Sequence, residues 1–183
     1  MFEHWGEFYL LTGSAAAVLI GLQFVVVTLM QDKPRSTMLS GSKFYMGPVI
    51  LHVSFVLVLS AAALMPEISH RDFAIVAAIV AVWGFVRGLL SFVGIRKLSW
   101  EEGPPHWTDA WFYGAIPTLF YVLLALVAWG FWTDQAWAVK GVAVVINAIL
   151  LVTIRNEWDL VTWLAPRADA PTVLPDSKHD LSD

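Results

Sequence analysis

Apolar residues in this chain run in long unbroken blocks, and neither a two-residue nor a seven-residue alternation organises them. Five blocks stand out, at residues 8–30, 46–65, 73–95, 110–132 and 136–158, each of 20 to 23 residues. An apolar stretch of 18 or more residues with few charges reads as a transmembrane helix. At ~1.5 Å per residue each block crosses a hydrocarbon core of about 30 Å. Helices buried in a large soluble core are the alternative. Five full-length blocks in 183 residues leave no polar shell to cover them. The pattern therefore predicts an all-α, polytopic membrane protein, with five spans in a compact bundle over residues 1–163 and a disordered tail over 164–183.

The first block does not read as a signal peptide. Its leader, MFEHWGE, is acidic where a basic region is expected, and the apolar run behind it exceeds a normal h-region. It is expected to remain as the first helix. The tail, rich in proline and aspartate, has the composition of a solvated end. The loops ISHRD and TDQ are too short to hold a separate site. The two longer loops, QDKPRSTMLSGSKFY and RKLSWEEGPPHWTD, carry turn formers and flanking tryptophans that suit a membrane surface.

Composition agrees with the pattern: 58% of residues are hydrophobic and 14% charged, where soluble domains carry about 25% charged residues. There is no cysteine, which removes disulfides, thiol nucleophiles and thiolate metal sites. The lysines and arginines are uneven. Lys33, Arg35, Lys43, Arg96, Lys97, Arg155, Arg167 and Lys178 fall on one side of the predicted spans, Arg71 and Lys140 on the other. By the positive-inside rule the amino terminus is outside and the carboxyl terminus cytoplasmic. Tryptophans gather near both predicted boundaries, as interfacial belts do, and only Trp83 lies well inside a span. The expected location is a cell membrane, multi-pass, of the bacterial inner-membrane kind.

Small residues spaced by four let helices approach closely. Gly13, Ala17 and Gly21 form such a ridge in the first span, and Gly84, Gly88 and Ser91 another in the third. Whether these ridges pack within one chain or between copies is open at this stage; a homo-oligomer is expected.

The polar side chains within the spans carry the candidate chemistry. Arg87 lies in the third span between Gly84 and Gly88, and arginine stays charged, so it cannot escape hydrocarbon by neutralising. Snorkelling along its stem is one answer; an internal acid, water, lipid phosphate or bound anion is the other. His52, Gln23 and Asn147 can satisfy hydrogen bonds but cannot cancel its charge. Asp109 and Tyr113 open the fourth span, and Arg155, Asn156, Glu157 and Asp159 close the fifth, all on the cytoplasmic side. His52 is a helix-packing donor or a proton-handling group, since histidine titrates near neutrality in water. Arg155 and Asp159 form an i,i+4 pair that either lines a vestibule or sets the depth of the helix.

No histidine pair has metal-ligand spacing, and no phosphate loop, nucleophile elbow, metalloprotease signature or nucleic-acid motif appears. No catalytic residue, metal or cofactor is expected, and no nucleic-acid partner. Three functions fit. The first is a small homo-oligomeric channel or transporter for an ion or small solute, its vestibule lined by the polar residues above. The second is a non-transporting accessory or scaffold protein that binds a cytoplasmic partner through the loops or acidic tail. The third is an intramembrane enzyme acting on a lipid or quinone, for which no nucleophile or metal site is visible.

Overall fold

A computed structural model describes residues 2–29, 42–97 and 106–164, and these form five long helices. The α1 helix is Gly6–Leu29, α2 Lys43–Ala63, α3 His70–Lys97, α4 Trp107–Trp132 and α5 Trp137–Leu164. All five are long and apolar enough to cross a bilayer. A short 3-10 turn, Glu3–Trp5, precedes α1. The predicted tail and most of the two longer loops lie outside the described residues.

Helix ends differ from the apolar blocks for local reasons. At the start of α3, Ser69 and Asp72 cap reciprocally. The Ser69 hydroxyl donates to Asp72 Oδ2 at 2.6 Å and accepts from the Asp72 N–H at 3.1 Å, so the helix begins three residues before the apolar run does. The His106 ring accepts from the Thr108 N–H and opens α4 early in the same way. Pro66 disfavours helix at the residue before it, and α2 stops at Ala63 rather than 65. The charged sequence after Ile154 does not end α5. It continues the helix to Leu164, with Arg155 Nη1 4.0 Å from Asp159 Oδ2.

The helices run up and down, and neighbours in sequence are neighbours in space. α2 and α5 also touch, and α1 closes against both of them. α2 is the central helix and the most buried of the five, and α1 is the edge helix and the least buried. One end of the bundle, called here the turn end, holds the start of the chain and the two tight turns. There Glu67 and Asp134 adopt positive φ, and His70 Nδ1 meets Asp134 Oδ1 at 2.9 Å. The other, far end holds the last turns of α1, α3 and α5 and the first turns of α2 and α4. At the turn end Phe2 folds into the bundle and packs edge-on to Tyr9 and Phe73, with centroids 5.0 and 4.9 Å apart; Phe131 completes the cluster.

The most extensive contact is between α3 and α4, and glycine makes it possible. A Cβ at Gly84 would enter the Tyr121 ring, one at Gly88 would strike Thr118, and one at Gly114 would overlap the Phe92 backbone. The first-span ridge behaves differently. Gly13 packs against Ser60 of α2, whereas Ala17 is exposed and Gly21 has nothing within 4 Å of its would-be Cβ. Beyond the packed faces, exposed Leu, Val, Ile, Phe and Trp cover the outer faces of α1, α3, α4 and α5, while the central α2 exposes only Ile50 and Val58 among its large apolar residues. Such a surface suits lipid and not water.

Gly114→Ala is therefore expected to lower stability by about 1–3 kcal/mol, because backbone cannot move aside as a side chain tip can. Gly21→Ala should change it by less than about 1 kcal/mol. Unfolding in one detergent, followed by circular dichroism, checks both. Equal effects would mean that the α3–α4 contact does not carry the fold.

Candidate functional site

Proline has no N–H, so within a helix it leaves an upstream carbonyl without its donor. This happens twice near the far end, and each freed carbonyl draws a polar side chain from another helix. In α2 the Phe44 carbonyl would look to residue 48, which is proline; Ser91 Oγ of α3 donates to it at 2.9 Å. In α4 residues Trp111–Ala115 are π-wound, and the Ile116 N–H turns back to the Trp111 carbonyl. The next nitrogen belongs to Pro117. The Phe112 carbonyl accepts instead from Asn156 Nδ2 of α5, at 2.9 Å. A π-wound turn also precedes Pro48, over Ser42–Met46. Single π turns of this kind are frequent at functional positions.

Around Asn156 the far-end polar residues join into one network. The Tyr113 hydroxyl lies 2.8 Å from the Asn156 carbonyl and 3.1 Å from Asp159 Oδ2. Arg155 Nη1 donates to Asn156 Oδ1 at 3.1 Å, and its guanidinium stacks on the Phe112 ring, 3.8 Å from the centroid. Tyr45 donates to Asp109 Oδ2 at 3.3 Å and packs edge-on to Tyr113. Asn156 is completely buried, so its carboxamide answers to protein alone.

Gln23 and Glu157 form a second pair at the same end. Gln23 Nε2 donates to Glu157 Oε1 at 2.9 Å, and both side chains are buried between α1 and α5. The Gln23 Oε1 atom is also buried but has no partner among the described residues. A carboxyl and an idle carbonyl oxygen thus sit side by side, an acceptor-rich spot suited to a proton or to a donor group.

His52 and Tyr121 form the third group, deeper in the bundle. His52 Nδ1 and the Tyr121 hydroxyl share a 2.6 Å hydrogen bond, and the Tyr121 ring lies over Gly84. His52 Nε2 is buried without a partner among the described residues. That holds for either neutral tautomer, since Nδ1 is the atom engaged with tyrosine. Arg87, half-buried on the shoulder of α3, is near enough for its charge to act on His52. It also borders a shallow apolar groove with Trp83 and Val86 on the outer surface. Among the described residues no carboxylate lies within 4.0 Å of the guanidinium.

The structure thus unites Asp109, Tyr113, Arg155, Asn156 and Asp159, sets Gln23 beside Glu157, and leaves His52 with Tyr121 and Arg87. Asn147 joins none of them and lies on the exposed face of α5. Gly84, Gly88 and Ser91 meet α4 and α2 within the chain. Sequence reading gave no site role to Tyr45 or Tyr121, and none to Ser91 beyond packing. Pro48 was the available signal, because it marks the Phe44 carbonyl four residues back; Pro117 by itself marks Tyr113, and only the π turn shifts the freed carbonyl to Phe112. Among the described residues no group of three or more histidines and carboxylates could hold a metal ion. Comparison with protein families, with characterised proteins and with solved structures finds no match for this chain.

Replacing Asn156 by leucine leaves the Phe112 carbonyl buried and unanswered. The expected cost is about 1–3 kcal/mol, read as lower resistance to unfolding in detergent. Thr162→Val, at an exposed hydroxyl bonded only to its own helix, should stay within about 0.5 kcal/mol. An Asn156→Leu protein as stable as the parent would show that the carbonyl finds another donor.

Proposed function

We propose that this chain transports a proton or small solute as a homo-oligomeric, multi-pass membrane protein, with the far-end polar residues forming its cytoplasmic vestibule. The observation that carries the reading is the pair of buried titratable groups with idle neighbours: His52 with Nε2 unpartnered, and Glu157 beside the unpartnered Gln23 Oε1. Ionisable groups in hydrocarbon are costly and mark ion or substrate paths by default. The turn-end half is packed with Phe2, Tyr9, Phe73 and Phe131. The reading is therefore of alternating access, in which that half opens in a second state, and not of a standing pore. No enzymatic step is assigned.

The orientation belongs to the same proposal. Arg96, Lys97 and Lys43 flank the far end and Arg71 and Lys140 the turn end; with the basic residues of the remaining loop and tail, the balance puts the far end in the cytoplasm. A bacterial inner membrane is the proposed location.

A second reading, a non-transporting scaffold, has its own support. The Tyr113–Asn156–Arg155–Asp159 network closes on itself, so it can hold helices together with no ligand. Its partner would bind on the cytoplasmic loops or the acidic tail.

Liposomes loaded with a pH-sensitive dye separate the two. Reconstituted protein is expected to dissipate an imposed proton gradient, and Glu157→Gln and His52→Gln to abolish this while eluting and folding as the parent does. Vesicles no leakier than empty ones would sink the proton-transport reading and favour the scaffold. For orientation, the cysteine-free chain allows single labels. Gln135→Cys should react with an impermeant maleimide from outside the cell, and Thr108→Cys only after the membrane is opened. The reverse pattern overturns the topology.

A further inference from the structure

The Asn147 carboxamide takes no part in the hydrogen bonds that hold the bundle among the described residues. Asn147 sits ten residues from Trp137, which begins α5, and eleven from Trp158. At ~1.5 Å per residue that is about 15 Å from the turn-end boundary, close to the bilayer midplane. Its side chain is exposed. The face of α5 that packs on the bundle runs through Ala138, Val142, Ile146, Ile149, Thr153 and Asn156, and Asn147 lies away from that centre line.

Serine and threonine in a membrane helix relieve themselves on their own backbone, as Thr12, Ser54 and Thr153 do here with the carbonyl four residues back. Asn147 makes no such bond among the described residues. Its carboxamide has two N–H donors and an acceptor oxygen, all presented to hydrocarbon.

The residues around it have the spacing of a seam. Val144, Asn147, Leu151, Ile154 and Trp158 follow intervals of three, four, three and four, and all are exposed, Val144 at 68%, Leu151 at 67% and Trp158 at 72%. Any lipid-facing stripe shows such intervals; the outer face of α3, through Ile79, Val82, Val86 and Leu89, does so with apolar residues alone. The amide in the middle distinguishes α5. A seam with one central asparagine is the pattern by which paired helices fix register and partner number.

We infer that this face of α5 docks against the same face of a second copy, with Asn147 hydrogen-bonded to Asn147 of the partner subunit. The occupant follows from symmetry. Two copies inserted with the same orientation are related by a two-fold axis along the membrane normal, which sets each residue against itself at equal depth. A carboxamide is self-complementary in that arrangement, since each donates an N–H to the other's oxygen. An apolar partner would leave it unanswered. Lys140, one turn below the α5 start, lies near the boundary, where its stem carries the charge to the headgroups; the contact therefore begins at Val144. The inference rests on the oligomeric part of the proposed function and not on any flux.

The test uses the cysteine-free chain in lipid vesicles. Val144→Cys and Leu151→Cys are expected to form disulfide-linked dimers under mild oxidation, and Val82→Cys on the α3 outer face is not. Adding Asn147→Leu to Leu151→Cys should weaken association about tenfold, the worth of an interhelical amide hydrogen bond in membranes, read as loss of cross-link on dilution with lipid. Cross-linking at Val82 as strong as at Leu151, or an unchanged dilution profile in the leucine variant, overturns the proposal. If Asn147→Leu fails to fold, the contrast between positions 151 and 82 still decides it. Cross-linking reads pairing alone, so its failure is distinct from absence of proton flux.

Discussion

In hydrocarbon a carbonyl, hydroxyl or amide has no water to turn to, and the arrangement of this bundle follows from that constraint. Its clearest expression is the pair of prolines. Pro48 and Pro117 deprive the Phe44 and Phe112 carbonyls of their donors, and Ser91 and Asn156 arrive from other helices to supply them. These two bonds tie α2 to α3 and α4 to α5. A defect in one helix thus becomes a link between two, at the end where the polar side chains collect.

A second constraint is distance. Polar bonds across helices need the backbones close together, and Gly84, Gly88 and Gly114 permit this along the α3–α4 contact. The same closeness lays the Tyr121 ring over Gly84 and holds its hydroxyl against His52. Arginine between two glycines therefore has a plain explanation in part. The glycines serve the neighbouring helix, and Arg87 is half-buried on the shoulder beside them, bordering the apolar groove. Among the described residues this packing leaves four buried polar atoms without a partner, Tyr9 Oη, Gln23 Oε1, His52 Nε2 and Ser60 Oγ.

Five spans, their approximate limits and the gathering of polar residues toward one end were legible in the chain, because long apolar runs have one solution in a membrane. The reading of Gly84, Gly88 and Ser91 as a contact ridge was legible too, since small residues at that spacing leave a smooth strip. Their partners were not. The first-span ridge looked alike, yet only Gly13 meets another helix, while Ala17 and Gly21 face outward. Spacing gives a face but not what lies against it. Asn147, grouped by depth with the other polar candidates, proves to be on the opposite side of its helix from the bundle interior. Depth along a helix is read by counting, whereas rotation about its axis depends on every neighbour at once.

The amino-acid sequence by itself determined a membrane protein of five helices, because the free energy of placing apolar side chains in lipid is a sum over residues and needs no partner. The tertiary structure alone decided which polar atoms meet. It paired Gln23 with Glu157 and His52 with Tyr121, closed the network around Asn156, and left Asn147 facing outward. Those outcomes depend on ångström distances between separate helices, and a linear order of residues does not contain them.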